Sequence, residues 1–198
     1  MHKPDPDDFE MRRLESLSNT IFGVAMTLLA YDLPRASQFA HAPDWAELYH
    51  VYAGRLISLM LSFIIAGVFW ISHHRRLARQ PHAQRGVVLI NLLFLLSIIL
   101  LPVTTGLDGN YSQSSAVAVL YGLHLCTIAG LNSWLWLLAT RGQHRRPELV
   151  GALAPLVLLL PGTAVAAVAP QYAPYIWVLA FGALLAHRLV REEPGKTS

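Results

Sequence analysis

The sequence predicts an all-α integral membrane protein with six transmembrane helices, and two observations carry this prediction. The first is composition: 54% of the 198 residues are hydrophobic and 14% are charged, whereas soluble domains carry about 25% charged residues. The second is a series of six apolar stretches, most of them near the ~20 residues that cross the hydrocarbon core as a helix. These stretches are too long and continuous for the strands of a membrane barrel.

The six stretches follow one another along the chain as Leu17–Leu33, Gly54–Ser72, Val87–Leu107, Ser115–Ala139, Leu149–Ala169 and Tyr172–Val190. The first is short and has Asp32 near its end. Pro170 and Gln171 separate the last two, which predicts a tight turn, because one helix of about 40 residues would overrun the bilayer. We expect a single domain over residues 1–198, with a cytoplasmic arm at 1–14 and a cytoplasmic tail at 192–198.

The positions of the basic residues predict the orientation. All but two of the 15 Lys and Arg residues lie in the N-terminal arm, in alternate loops and in the C-terminal tail; the exceptions are Arg35 and Arg55. Because basic residues in short loops mark the cytoplasmic side, both termini are predicted to be cytoplasmic in a multi-pass protein of the cell membrane. A cleaved signal peptide ending near Ala42 is the alternative for the first stretch. The acidic residues that precede this stretch disfavour it, since positive charge is expected there.

The first stretch is the most polar of the six. Polar groups in a membrane span usually face protein or water, because leaving them in lipid is costly. Steps of three and four residues sort the helix into two stripes. The first stripe holds Arg13, Leu17, Thr20, Val24, Thr27 or Leu28, and Tyr31, and the second holds Ser18, Ala25 and Asp32. Periodicity alone favours ordinary helix packing for both stripes.

Three motifs, in order and spacing, resemble the transmembrane protein 175 family of potassium channels in its short bacterial form. The first runs from Arg13 through Ser18 and Asn19 to Met26-Thr-Leu-Leu29, with Leu17 in place of the family's Phe and Asn19 in place of its Asp. The second is Trp70-Ile-Ser-His73, and the third is the apolar run from Asn91 to Pro102. The resemblance covers the first half of the chain, and the second half agrees only in hydropathy.

The resemblance implies a homotetrameric channel in which four copies of the first helix line a central pore. The implied permeant ion is K⁺, with other monovalent cations left open, and no cofactor or metal is implied. The implied partners are other copies of the chain and the lipid bilayer, without nucleic acid or a small-molecule substrate. Matched position by position, the resemblance implies a constriction at Val24, Thr27, Leu28 and Tyr31, with Tyr31 standing where the family has leucine.

Further positions surround this constriction. Thr20 and Asp32 are predicted at the pore entrance, where four carboxylates near the mouth would attract cations. The resemblance also implies a supporting polar network of Arg13, Ser18, Asn19, Trp70, His73 and Asn91. For Arg13 a membrane anchor and for Trp70 an interfacial position remain equally open.

Other function classes have weaker support in the sequence. A proton-conducting or secondary transport protein is the main alternative, but it needs ionisable groups near the midplane, and we expect almost no buried acid in the spans. An enzyme is disfavoured because the usual nucleophile and metalloprotease motifs are missing. A metal site at His73 and His74 is disfavoured, since adjacent residues of a helix point apart and no carboxylate is near them in sequence. A purely structural membrane protein remains open.

Overall fold

The computed structural model describes residues 9–35, 37, 39–77, 82–83, 85–139, 146–179 and 181–182. The helices are α1 (Met11–Leu28), α2 (Trp45–Leu77), α3 (Arg85–Asn110), α4 (Ser115–Ala139) and α5 (Arg146–Ala166). A further helical segment at residues 173–179 and 181–182 is called α6. A two-residue antiparallel ladder pairs Phe9–Glu10 with His82–Ala83 and joins the start of α1 to the connection between α2 and α3.

Three of the described helices are long and apolar enough to cross a membrane: Trp45–Arg75, Arg85–Asn110 and Ser115–Leu138. Helix α5 contributes a shorter apolar segment, Leu153–Ala166. The chain is therefore a membrane protein built from apolar helices. The six-span count and the cytoplasmic termini remain predictions. The predicted tail at 192–198 and the part of the last apolar stretch that follows residue 182 lie outside the described residues.

Helix α1 begins earlier than the apolar stretch predicts, at Met11 inside the expected arm, and its α-helical part ends at Leu28. A 3₁₀ turn, Leu29–Asp32, completes the segment. Leu33 is extended, at φ −68° and ψ 140°, because proline at the next position disfavours the helical conformation. The first five residues of α1 include two arginines and a glutamate, so hydropathy alone underestimates the length of this helix.

Buried aromatic rings form the centre of the bundle. Phe94 of α3 lies 5.9 Å from Phe22 of α1 and 6.4 Å from Phe69 of α2, measured between ring centroids. Phe181 of α6 lies 6.2 Å from Phe69. Aromatic pairs at these separations add to the energy of burial. The cluster packs α1 against α3 and joins α2 to both α3 and α6.

Small residues let the later helices approach closely. A Cβ atom built on Gly122 of α4 would lie 2.8 Å from Trp177 of α6 and 2.9 Å from a methyl carbon of Thr163 on α5. A Cβ atom on Gly162 would also meet the ring of Trp177. Glycine at both positions therefore makes room for the buried indole, as is usual where membrane helices pack tightly.

Candidate functional site

Helix α1 is covered on one side only. Leu14, Ser18, Phe22, Ala25 and Leu29 are buried against the rest of the subunit. The opposite side is exposed; we call it the open face, and it consists of Leu17, Thr20, Val24, Thr27, Leu28 and Tyr31. This is the first stripe of the sequence analysis, and it contains every residue of the predicted constriction.

The two threonines of the open face use their hydrogens within the helix. The hydroxyl of Thr27 donates to the carbonyl of Val24 at 2.7 Å, and that of Thr20 donates to the carbonyl of Ser16 at 3.0 Å. A hydroxyl oxygen has two acceptor lone pairs besides its donor. Because its hydrogen is donated within the helix, each threonine presents an acceptor oxygen on the open face, and such an oxygen can coordinate a cation.

Tyr31 and Asp32 point in different directions at the C-terminal end of α1. Tyr31 is 68% exposed, and the guanidinium carbon of Arg35 lies 4.9 Å from the centre of its ring. Asp32 is also exposed, but its carboxylate lies directly against Gly106 of α3. The structure thus places Asp32 with the second stripe, beside Ser18 and Ala25, and away from the open face.

Ser18 is the shared partner of two buried side chains behind the open face. Its hydroxyl donates to the carbonyl of Leu14 at 2.7 Å. With its hydrogen used, the oxygen accepts from Nε2 of His73 at 3.1 Å and from Nδ2 of Asn91 at 3.5 Å. This arrangement requires the tautomer of His73 that carries a hydrogen on Nε2. These bonds join α1 to α2 and α3, and they bring together three of the six residues predicted for the supporting network.

A second polar group lies at the exposed edge between α1 and α2. The indole nitrogen of Trp70 donates to the side-chain oxygen of Asn19 at 2.9 Å. The same ring stacks on His74 at 5.8 Å, and Nδ1 of His74 lies 2.9 Å from a carboxylate oxygen of Glu15. Trp70 thus contacts α1 rather than acting only at the membrane interface. Arg13 is exposed near the start of α1.

The contact between His74 and Glu15 corrects one expectation. No carboxylate was expected near the histidine pair, because sequence distance hides a residue on another helix. The structure brings one carboxylate there. Among the described residues there is no group of three His, Cys, Asp or Glu side chains that could hold a metal ion.

The sequence analysis missed a buried polar cluster between α2, α3 and α4. Asp108 is 1% exposed and accepts a hydrogen bond from the hydroxyl of Ser58 at 2.7 Å. Nearby, Ser62 shares hydrogen bonds with Thr105 at 2.6 Å and with Tyr121 at 2.7 Å. Asp108 lies one residue beyond the third apolar stretch, which was ended at Leu107, so the sequence analysis did not consider it. The i, i+4 spacing of the two serines and the i, i+3 spacing of Thr105 and Asp108 were signals of this cluster.

Known proteins share this architecture. The family model for the endosomal/lysosomal potassium channel TMEM175 matches residues 13–102, the segment that holds α1 and its buried partners on α2 and α3. Over this segment the chain resembles the TMEM175 family. A potassium channel of Streptomyces collinus is 27% identical over 142 residues, which cover 68% of this chain and 67% of that protein. A potassium channel of a Chryseobacterium species is 24% identical over 113 residues.

These relatives match over part of their length. The aligned region spans two thirds (67%) of the Streptomyces protein and 56% of the Chryseobacterium protein. The solved structures of the TMEM175 family extend the likeness of fold. A lysosomal potassium-selective channel TMEM175 homolog from Chamaesiphon minutus superposes with a TM-score of 0.77 at 19% identity, over 89% of this chain and 97% of that chain.

A second solved structure, a variant of the potassium channel MtTMEM175 in complex with a nanobody fusion, superposes with a TM-score of 0.59 at 12% identity. It covers 97% of this chain and 100% of that chain. The fold therefore agrees with the TMEM175 fold well beyond the segment that the family model matches, including α4 and α5.

Proposed function

We propose that the protein is a potassium-permeable cation channel of the cell membrane, in which four copies of α1 surround a central pore. The open face of α1 carries this proposal. This face belongs to the first apolar stretch, which has more polar residues than the other five. The subunit nevertheless leaves the face uncovered, with Val24 53% exposed. Since polar groups facing lipid are costly, this face needs other copies of the chain or water beside it. One chain supplies one such helix, so a closed ring of subunits is required to form a tube.

The chemistry of the open face favours cations. Val24 and Leu28 would form apolar rings, which gate by dewetting, and the oxygens of Thr27 would replace part of the hydration shell of an ion. Because the threonine hydrogens are bonded within the helix, the groups presented to the pore are acceptors. We place the constriction at Val24, Thr27, Leu28 and Tyr31, and an entrance at Thr20.

The buried bonds behind α1 support the constriction. Ser18, His73 and Asn91 hold the helix from within the subunit, while Asn19 and Trp70 hold its edge. We assign these residues, with Arg13 at the start of the helix, the role of fixing α1 so that its open face stays directed at the axis. This role needs no cofactor, metal or small-molecule substrate, only other copies of the chain and a bilayer.

Potassium flux into liposomes that contain the purified protein tests the proposal, and the chain offers matched controls. Thr127 of α4 is exposed and donates to a carbonyl of its own helix, that of Leu123, at 2.9 Å, so Thr127→Ala controls for Thr27→Ala. Val157 of α5 is 61% exposed, so Val157→Ala controls for Val24→Ala.

We expect Val24→Ala to raise the flux by widening the apolar ring, and Thr27→Ala to lower the preference for K⁺ over Na⁺. The two control variants should behave like the wild type. A chloride-selective current would contradict the assignment, as would equal effects of the test and control variants.

A second candidate function, proton conduction or secondary transport, is favoured by Asp108. An ionisable side chain buried in a membrane bundle is a candidate functional site, and the hydroxyls of Ser58, Ser62, Thr105 and Tyr121 lie within the same cluster. The two functions differ in kinetics. A transporter gives a saturable potassium flux that is coupled to a second ion, and Asp108→Asn abolishes that coupling. A channel gives a potassium flux without coupling, and Val24→Ala changes that flux.

A further inference from the structure

The C-terminal end of α1 makes a contact that the constriction does not explain. A Cβ atom placed on Gly106 would coincide with a carboxylate oxygen of Asp32 and would lie 2.6 Å from its Cγ. Gly106 itself is buried. The carboxylate thus fills the space in which any other residue at position 106 would keep its side chain.

A small cavity lies beside this contact. Its volume is about 10 Å³, and its lining includes Asp32, Arg55, Thr105 and Asn110 together with the backbone of Gly106. A cavity of about 10 to 15 Å³ holds one water molecule when two to four polar partners line it. Asp32 and Arg55 are the two charged residues among those that line the cavity, and their charges are opposite.

Arg55 is itself held firmly. Its Nε and one terminal nitrogen donate to the side-chain oxygen of Asn110 at 3.0 and 2.6 Å, and its other terminal nitrogen donates to the carbonyl of Val51. Asn110 in turn donates to the carbonyl of Gly106 at 2.7 Å. Arg55, which lines the same cavity as Asp32, is therefore fixed to both α2 and α3.

We propose that Asp32 is a positioning residue of the conduction pathway: its carboxylate, lying on Gly106 beside a cavity that Arg55 also lines, fixes the C-terminal end of α1 to α3. This inference rests on the proposed channel function and differs from the sequence prediction, in which Asp32 attracts cations at the pore entrance. Tyr31, one residue earlier, lies on the open face, so the position of Asp32 sets where the Tyr31 ring stands.

The geometry supplies a double-mutant cycle that separates these roles. Gly106→Ala keeps the charge of Asp32 but forces its carboxylate out of the space above residue 106. In an Asp32→Ala background that space is free, because the remaining Cβ of residue 32 would lie 3.4 Å from the new methyl group. Gly130→Ala is the matched control, since no atom lies within 4 Å of a Cβ built there.

Two readouts are taken for each variant: thermal melting in detergent, and single-channel current in planar bilayers at low and high KCl. We expect Gly106→Ala to lower the open probability about three- to tenfold in the wild-type background, an effect that lies within the range of coupling between residues in contact. In the Asp32→Ala background it should change neither the open probability nor the melting temperature. Asp32→Ala should leave the dependence of conductance on KCl unchanged.

Other results overturn the proposal. If the conductance of Asp32→Ala falls at low KCl and recovers at high KCl, Asp32 acts as a charge at the pore mouth. An equal effect of Gly106→Ala in both backgrounds shows that the carboxylate does not occupy the space. A wild type that carries no current removes the proposed function and the positioning role with it, while the melting cycle still reports separately whether Asp32 and Gly106 are in contact.

Discussion

Replacing Ser18 by alanine tests whether the buried bonds behind α1 stabilise its position. The serine oxygen is the acceptor for His73 and Asn91, so the substitution strands two buried donors on two other helices. Stranding a buried donor costs about 1 to 3 kcal/mol. The Asn91 bond, at 3.5 Å, is at the limit of hydrogen-bonding distance and contributes little. Interhelical bonds in membrane proteins average about 0.6 kcal/mol and reach about 1.7 kcal/mol, so we expect a total loss at the lower end of this range, about 1 to 2 kcal/mol.

Ser97 of α3 provides the control for this substitution. It is also largely buried, and its hydroxyl donates to a carbonyl of its own helix, that of Leu93, at 3.2 Å. Ser18 loses an equivalent bond within its helix, so the difference between the two variants isolates the acceptor shared with α2 and α3. Bonds of a serine to its own helix contribute little to helix stability, and Ser97→Ala should cost no more than about 0.5 kcal/mol.

Unfolding in mixed micelles with increasing sodium dodecyl sulfate measures both variants against the wild type, and potassium flux in liposomes is measured in parallel. The Ser18→Ala transition should move to lower detergent fraction and the flux should change, while Ser97→Ala stays close to the wild type in both assays. Equal transitions for the two alanine variants would refute the reasoning, because they would show that the bonds to His73 and Asn91 do not hold α1.

Two further substitutions have clear expected outcomes. Gly122→Ala should destabilise the protein by about 1 to 3 kcal/mol in the same unfolding assay, the usual cost of overpacking, because its methyl group would strike Trp177; Gly130→Ala on the same helix should have almost no effect. Trp70→Phe keeps the aromatic ring but removes its donor to α1, which should cost about 0.5 to 1 kcal/mol, whereas Trp134→Phe at an exposed position of α4 should be neutral.

The helical bundle could be predicted from the sequence because its signal is local. Apolar runs of about 20 residues define membrane helices without reference to the rest of the chain, and the described helices overlap all six predicted stretches. The predicted ends of the helices were less accurate. Helix α2 starts at Trp45, nine residues before the apolar run, because Asp44 and Glu47 cap its polar first turn through reciprocal hydrogen bonds at 2.8 and 3.2 Å.

The two faces of α1 could also be predicted, since helical periodicity separates residues that point in opposite directions. Periodicity does not identify the residues of other helices that each face contacts. The bonds of Ser18 to His73 and Asn91 join residues 55 and 73 positions apart, and they followed only from resemblance to a family. Helical spacing places Ser58 and Asp108 each on a polar face of its own helix, but it does not pair the two helices. The contacts of Ser58 with Asp108 and of Glu15 with His74 were therefore found only in the structure.

The position of Asp108 along α3 bears on the choice between channel and transporter. Asp108 is the third residue from the end of a 26-residue helix, so at 1.5 Å per residue it lies only about 3 Å from the helix end. Coupling sites of transporters lie near the midplane, where irregular helices expose them to each side in turn. Asp108 instead lies in regular helix and is bonded to Ser58. Val24 and Thr27, in contrast, lie on an uncovered helix face that a ring of subunits would place along a continuous axis. The arrangement of charge and exposure therefore favours a pore between subunits over a transport site within one.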